Sequence, residues 1–272
     1  MTYDLRKHAI SGNFSKFRQA LELHEFISLV PIHYGLLLEA AISSGNADIV
    51  RLIVEKGKKE LNEDFSKDCV RSAVNTACES GFLEVLEVLL SIKGVSGSRY
   101  FSRPFRDALF ANHLKICKFL EDKIDRELFK EVICSANSLE AVLYCVDNGA
   151  THLNRPLLTA SENGDMKMAK YCIEHGATDF ENPMITAIYN NQEEIIKLLS
   201  TYFEEPEDFD NFLACAADAG NLNLCKFFIS KGANDIQRAM ECVNFHINSF
   251  DDTDPEMVQY SQVKKYLGNE MV

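Results

Sequence analysis

The stretch that decides the fold is Ser44-Gly45-Asn46-Ala47-Asp48-Ile49-Val50-Arg51-Leu52-Ile53, in which a Gly-Asn turn leads directly into an apolar helical pattern. A close copy follows later, as Ala219-Gly220-Asn221-Leu222-Asn223-Leu224-Cys225-Lys226-Phe227-Phe228. We call the two turn residues the turn pair, and the chain contains eight versions of it at intervals of 25 to 36 residues. The eight are Gly12-Asn13, Gly45-Asn46, Gly81-Phe82, Asn112-His113, Asn137-Ser138, Gly164-Asp165, Asn191-Gln192 and Gly220-Asn221. This period indicates stacked supersecondary units, each of which buries its apolar face only against its neighbours.

Apolar residues recur at helical spacing on both sides of each turn pair. Counted from the first residue of the pair, the position seven places earlier is apolar in seven of the eight units, and the position four places earlier is alanine in six. The positions four and seven places later are apolar in every unit after the first. This spacing predicts a leading helix before the turn pair and a second helix after it, each with one buried stripe. The alanines predict close packing between neighbouring leading helices.

Glycine, asparagine and proline mark the helix ends. Glycine and asparagine tolerate the left-handed backbone of a tight turn, as the turn pair requires. A glycine twelve places after the turn pair predicts a second turn that closes the second helix. These glycines are Gly57, Gly149, Gly176 and Gly232. Three prolines are predicted in the first turn of a leading helix, where a missing N–H costs no hydrogen bond. They are Pro104, Pro156 and Pro183.

The composition restricts the class of partner. The chain has 272 residues, of which 46% are hydrophobic and 25% charged, and its net charge is −13. Such a charge argues against nucleic acid or an anionic membrane as the main ligand. No apolar stretch approaches the roughly 20 residues that span a bilayer, and the first residues carry no recognisable secretory signal. We therefore expect no nucleic-acid partner and no membrane association.

The cysteines occupy positions of the buried stripes. Cys117 and Cys225 lie where other units have valine or leucine, and Cys145 and Cys172 lie where others have isoleucine or leucine. The total of nine is odd, and no close Cys-x-x-Cys pair occurs. These positions predict buried, reduced thiols. A reducing compartment, such as the cytoplasm, is the expected location.

Two helices per unit, alanine packing, a Gly-Asn turn between the helices and Gly-Ala after them resemble the ankyrin repeat family. The resemblance covers about residues 3–235 and rests on the two stretches quoted above and on the Gly-Ala-Thr and Gly-Ala-Asn turns. The repeats are degenerate and shortened. The family's Thr-Pro-Leu-His helix start survives only in forms such as Arg155-Pro156-Leu157-Leu158, so the threonine and histidine that usually link adjacent repeats are missing.

The expected fold is an all-α solenoid of stacked helix-turn-helix repeats of the ankyrin type, with few or no β-hairpin fingers. Residues 1–235 are predicted to form about eight units, the first of them a cap, because Lys16 and Gln19 occupy its usually apolar places. Residues 236–272 are predicted to form a helical C-terminal cap. Fuller loops are expected near residues 57–70 and 91–103.

No catalytic, metal or cofactor constellation is recognisable. The closest Cys/His pair, Cys172 and His175, combines a position on the buried stripe with a helix end. We therefore expect no enzyme, no metal and no cofactor. The alternative is an enzyme or transferase with its site in residues 236–272, where Cys242 and His246 are the candidate groups.

The resemblance implies a protein partner on the concave surface that leading helices and loop tips form. The candidates are the residues two places before the turn pair, namely Glu79, Phe110, Glu162, Tyr189 and Asp218. Phe110 and Tyr189 are the expected anchors, because aromatic residues are enriched among binding hot spots. Either ring could instead pack under a neighbouring loop.

Charged segments supply further candidates. Arg99, Tyr100, Arg103 and Arg106, with Lys93, predict either a loop that grips an acidic or phosphorylated partner or a solvated loop whose aromatics pack on the stack. The acidic runs 204–210 and 251–256 either steer a basic partner or serve solubility and helix starts.

The function expected from the sequence is that of a non-catalytic scaffold for a protein partner. The weak repeat consensus resembles divergent ankyrin proteins of intracellular bacteria, protists and large DNA viruses. That resemblance implies an adaptor or a host-directed effector, located in the host cytosol in the second case. We expect a monomer.

Overall fold

The structure, a computed structural model, describes residues 2–27, 34–61, 67–92, 98–205, 207–249, 255 and 257–271. The described residues contain eighteen α-helices and no β-strand. The expectation of an all-α helical repeat solenoid is confirmed. The chain divides into two compact units, residues 1–150 and residues 151–272.

The described part of residues 1–150 contains ten α-helices that alternate between leading and second positions. They are α1 (Thr2–Ile10), α2 (Phe14–Ile27), α3 (Tyr34–Ile42), α4 (Ala47–Leu61), α5 (Lys67–Glu79), α6 (Leu83–Leu90), α7 (Ser98–Phe110), α8 (Leu114–Leu120), α9 (Leu128–Val132) and α10 (Leu139–Asp147). Each leading helix packs on the next one, from α1 through α3, α5 and α7 to α9. The second helices α2, α4 and α6 pack on one another in a second row.

Where the structure describes residues 151–272, it repeats this arrangement with eight α-helices. They are α11 (Asn154–Asn163), α12 (Met166–Glu174), α13 (Glu181–Tyr189), α14 (Glu193–Leu199), α15 (Asp208–Asp218), α16 (Leu222–Ser230), α17 (Ile236–Ile247) and α18 (Met257–Glu270). The row of leading helices runs from α11 through α13 and α15 to α17. Helix α18 closes the unit by packing on α16 and α17, so the last segment forms one more helical hairpin. The division at residue 235 stays a prediction.

The predicted alanine seam forms the core between leading helices. All six alanines four places before a turn pair are fully buried, with no exposed surface. They are Ala41, Ala77, Ala108, Ala160, Ala187 and Ala216. A methyl side chain lets neighbouring helices approach closely, so the larger apolar residues beside it interdigitate.

Buried cysteines fill aliphatic positions, as the sequence predicts. Cys117, Cys145, Cys172 and Cys225 are fully buried. Burial raises the pKa of each thiol to about 12. A thiol with so high a pKa stays protonated at neutral pH and behaves as a small apolar side chain.

The left-handed turn is present in seven of the eight turn pairs. Its first residue has a positive φ, which for the asparagines is 59° at Asn112 and 54° at Asn191. The prediction is wrong at Asn137, because α9 is only five residues long and passes into a 3₁₀ turn at Ile133–Ser135. The chain then enters α10 through Ser138, whose hydroxyl caps the helix by accepting the N–H of Ala141.

Two of the helix ends predicted in residues 1–150, one at Gly57 and one at Pro104, are wrong. Gly57 was expected in a turn but lies inside α4, which continues to Leu61. Pro104 was expected in a first helical turn but is the seventh residue of α7, because that helix already begins at Ser98. The extra turns are stabilised by Phe101, which is 2% exposed. Pro156 and Pro183, in contrast, are third residues of their helices, as predicted.

Candidate functional site

Helix α7 presents an exposed face that combines one aromatic and two basic side chains. Arg103, Arg106 and Phe110 are spaced by three and four residues, so they share one side of the helix. Phe110 is 61% exposed. The Arg103 guanidinium lies 3.5 Å from the carboxylate of Asp107 one turn later. We call Arg103, Arg106 and Phe110 the α7 face.

The prediction of a loop over residues 91–103 is wrong from Ser98 onward, because these residues belong to α7. Tyr100 therefore packs on the stack: its ring meets Phe101 edge-to-face at 5.1 Å, and the Arg71 guanidinium lies 5.8 Å from its centroid. Its hydroxyl is buried, and burial raises its pKa. The side chains of Lys93 and Arg99 lie outside the described residues.

Tyr189 and Asp218 meet across neighbouring repeats. Tyr189 is 52% exposed at the end of α13, and its hydroxyl donates a hydrogen bond to Asp218 Oδ2 at 2.8 Å. Partial burial and this carboxylate raise the pKa of the Tyr189 hydroxyl. This hydrogen bond restrains the orientation of the Tyr189 ring, which is still about half exposed.

Asp218 also holds the terminal hairpin. Its Oδ1 lies 2.8 Å from His246 Nε2 on α17, and its backbone carbonyl accepts the hydroxyl of Tyr260 on α18 at 2.8 Å. The rings of His246 and Tyr260 stack with centroids 4.7 Å apart. One aspartate thus joins side chains from α13, α17 and α18.

Phe245 is a surface residue that the sequence reasoning missed. It is 70% exposed, and its ring stands edge-to-face with His246 at 5.6 Å. The sequence signal marks its neighbour His246 rather than Phe245 itself, because the repeat interval continues for one more step from Gly220 to the turn at Asn248. His246 then lies two places before that turn, as Asp218 and Tyr189 do before theirs.

Glu79 and Glu162 lie exposed at the same repeat position, and their backbone carbonyls receive links from the next repeat. The His113 ring nitrogen Nε2 lies 3.1 Å from the Glu79 carbonyl, and the Gln192 amide donates to the Glu162 carbonyl at 3.1 Å. In both cases the linking side chain is the second residue of the next turn pair. Asn46 makes the same kind of bond to the Gly12 carbonyl at 2.9 Å.

These links take over the task of the missing threonine and histidine. A polar side chain at the second place of the turn pair reaches back to the preceding turn, so successive repeats are tied at the turn edge. The sequence contained a signal for these links, because the second residue of the turn pair is polar in seven of the eight units. The group that accepts its hydrogen bond lies in another repeat, so the sequence alone did not identify it.

The acidic run 204–210 has a structural part. Asp210 Oδ1 accepts the backbone N–H groups of Asn234 and Asp235, at 2.6 and 2.9 Å. Asp208 and Asp210 both lie in the first turn of α15, where negative charge stabilises a helix. Residues 251–254 and 256 of the second run lie outside the described residues.

Replacing Asp210 with alanine is expected to lower the free energy of unfolding by about 1 kcal/mol, because two N–H groups lose their acceptor. Glu204→Ala, which removes one exposed charge from the same run, is expected to change that free energy by less than about 0.5 kcal/mol. Urea unfolding followed by circular dichroism measures both. Equal effects of the two substitutions would contradict a capping role for Asp210.

The groups proposed for the enzyme alternative are not arranged as an activated nucleophile. Burial is the main cause that raises the pKa of the Cys242 thiol, whereas a catalytic thiol needs a lowered one. His246 is engaged with Asp218 and Tyr260. Two open grooves, of about 250 and 450 Å³, lie between second helices, and neither is lined by Cys242 or His246.

Among the described residues, no group of three or more histidine, cysteine, aspartate or glutamate side chains is placed to hold a metal ion. In the helices that the structure describes, no segment is both long and apolar enough to span a bilayer.

Comparison with known proteins supports the repeat assignment in the second unit. Residues 157–240 match the family model described as ankyrin repeats (3 copies). The matched segment runs from α11 into α17 and includes Glu162, Tyr189 and Asp218. No curated protein matched the chain. Residues 157–240 of this chain are therefore assigned as ankyrin repeats.

Proposed function

We propose that this chain is a non-catalytic scaffold that binds a protein partner through the exposed faces of its leading helices and the adjoining turns. Ankyrin repeats indicate a protein-protein interaction domain. The observation that carries the proposal is the placement of Phe110 and Tyr189, two residues before a turn pair and 61% and 52% exposed. Large aromatic side chains exposed at an equivalent place favour a role in recognition over one in folding.

A rigid support favours this function. The alanine seam packs the leading helices closely, and side-chain links tie the turn of one repeat to the next. A surface that is ordered before binding loses little conformational entropy when a partner docks. The exposed aromatics therefore contribute to affinity without an ordering step.

The α7 face favours an acidic or phosphorylated segment as its ligand. Arg103 and Arg106 lie about two turns and one turn before Phe110 on the same side of α7, in a chain of negative net charge. Guanidinium groups bind carboxylates and phosphates with paired hydrogen bonds.

We also propose a cellular compartment, an oligomeric state and a cellular role. The five thiols whose pKa burial raises to about 12 are suited to a reducing compartment such as the cytoplasm. We propose a monomer that acts as an adaptor, or as a host-directed effector in the host cytosol. Turnover of a small molecule that Cys242→Ser abolishes would instead support the enzyme alternative.

Photo-crosslinking tests the proposed surface. A benzoylphenylalanine placed at Phe110 or at Tyr189 is expected to form a covalent product of one discrete mass with a protein from the source cells. The matched control is Tyr202, an aromatic residue that is 44% exposed but follows α14 and stacks on Phe180 at the start of α13, so it lies away from the C-terminal ends of the leading helices. Equal crosslinking at all three positions would contradict the proposal.

Pull-down with substituted chains gives the quantitative counterpart. Phe110→Ala combined with Tyr189→Ala is expected to reduce recovery of the crosslinked protein at least tenfold, since each hot-spot aromatic contributes about 2 kcal/mol or more. Tyr202→Ala is expected to leave recovery unchanged. Unchanged recovery by the double variant would remove both proposed anchors.

A further inference from the structure

We infer that Tyr189, Asp218, Phe245 and His246 form a docking patch for a basic segment of a protein partner, in which an arginine or lysine side chain lies over the aromatic rings beside the Asp218 carboxylate. We call these four residues the Asp218 patch. The inference rests on the proposed protein-binding function and adds to it a set of residues and the chemistry of the ligand.

The patch is continuous across three leading helices. Tyr189 on α13 donates to one carboxylate oxygen of Asp218 on α15, and the other oxygen meets His246 on α17. Phe245 extends the patch on α17 through its contact with the His246 ring. Residues that lie 28 and 29 positions apart in sequence are thus held in one surface.

Tyr260 supports the patch from below. It is 5% exposed, donates to the Asp218 carbonyl and stacks on His246. Its ring also lies over Gly220, where an added Cβ would come within 3.2 Å of it. The terminal hairpin therefore orders the patch in the unbound protein, which favours docking over induced rearrangement.

The exposed groups suit a cation. Phe245 is 70% and Tyr189 52% exposed, and the electron-rich face of an aromatic ring attracts arginine and lysine. The Asp218 side chain is 38% exposed, and each of its carboxylate oxygens has a second lone pair beyond the hydrogen bond described. A guanidinium placed over a ring can therefore also reach an acceptor oxygen.

The surrounding charge has the same sign as the carboxylate. Residues 151–272 contain 20 acidic and 9 basic side chains, so the net charge of this unit is −11, out of −13 for the whole chain. The last turns of α11, α13 and α15 contain no basic residue, whereas Glu162 lies at the end of α11. Arg155 and Arg238 lie near the N-terminal ends of α11 and α17, whereas Glu162 and the patch lie at the C-terminal ends of their helices. An acidic or phosphorylated segment would be repelled here, in contrast to the α7 face.

Binding of a basic peptide tests the inference. The probe is a short labelled peptide of alternating arginine and alanine, and the readouts are fluorescence anisotropy and amide chemical shifts of the full isotope-labelled chain. We expect the shifts to concentrate at Tyr189, Asp218 and Phe245. Phe245→Ala, which removes an exposed side chain and no charge, is expected to weaken binding about tenfold. The matched peptide of glutamate and alanine is expected not to bind.

Two control variants separate a specific patch from general attraction. Glu204→Gln combined with Glu205→Gln removes two exposed charges outside the patch and is expected to change the affinity less than about twofold. Asp218→Asn retains the shape of the side chain and is expected to weaken binding by about tenfold or more. Shifts centred on residues 204–210, or equal affinity of Phe245→Ala and the unmodified chain, would overturn the inference.

The same series distinguishes failure of the inference from failure of the proposed function. If Phe110 and Tyr189 crosslink a cellular protein but the arginine peptide does not bind the patch, the chain is a scaffold and the basic ligand is wrong. If the peptide binds the patch as described and no leading-helix position crosslinks any protein, the scaffold function is wrong.

Discussion

Replacing Phe105 with alanine is expected to lower the free energy of unfolding by about 3–5 kcal/mol, the usual cost of removing a buried phenylalanine ring. Phe105 has no exposed surface, and its ring meets Phe129 edge-to-face at 5.3 Å and lies 6.4 Å from Tyr144. The substitution leaves a cavity between α7, α9 and α10, the helices that carry these three rings. Urea unfolding followed by circular dichroism gives the change.

The matched control lies on the same helix. Phe110→Ala removes the same side chain five residues later, but Phe110 is 61% exposed, so we expect the free energy of unfolding to change by less than about 0.5 kcal/mol. The pair therefore separates the buried side of α7 from its exposed side. Similar losses for both variants would show that Phe110 packs under a neighbouring loop in solution.

Replacing Gly81 with alanine is expected to lower the free energy of unfolding by about 1–3 kcal/mol, for two independent reasons. Gly81 has a φ of 79°, a backbone conformation that an alanine adopts only with strain. An added Cβ would also lie 2.7 Å from His113 Cε1, in the ring that reaches back to the Glu79 carbonyl. The same substitution is expected to speed hydrogen exchange of the amides at the ends of α5 and α7.

Gly268 supplies a control with the opposite sign. It lies within α18, and an added Cβ would meet no atom within 4 Å. Gly268→Ala is therefore expected to raise the free energy of unfolding by about 0.4–1 kcal/mol, because alanine has less backbone freedom to lose on folding. Destabilisation by both substitutions would contradict the account of the turn.

Helix ends and surface anchors were only partly predictable. Gly57 and Pro104 carry local signals for a turn and for a helix start, yet both lie inside helices. Additional turns form where they bury apolar area, as Phe101 does, and that gain outweighs the local preference. From the sequence, Phe110 and Tyr189 are either exposed anchors or rings that pack under a neighbouring loop, and in the structure both are more than half exposed. Their role in binding stays a prediction.

The sequence by itself determined the repeat architecture. The apolar stripes and the left-handed turn residues act within a single hairpin, and the alanine recurs at one place in most of the hairpins, so their spacing along the chain is sufficient to predict helices, turns and seam. The tertiary structure alone decided which side chains meet between hairpins. Asp218 contacts Tyr189, His246 and Tyr260, residues 28 to 42 positions away, and the Gln192 link to Glu162 likewise spans two repeats. Such contacts depend on how one hairpin is positioned against the next, and that position is set by the packing of the whole interface rather than by any local run of residues.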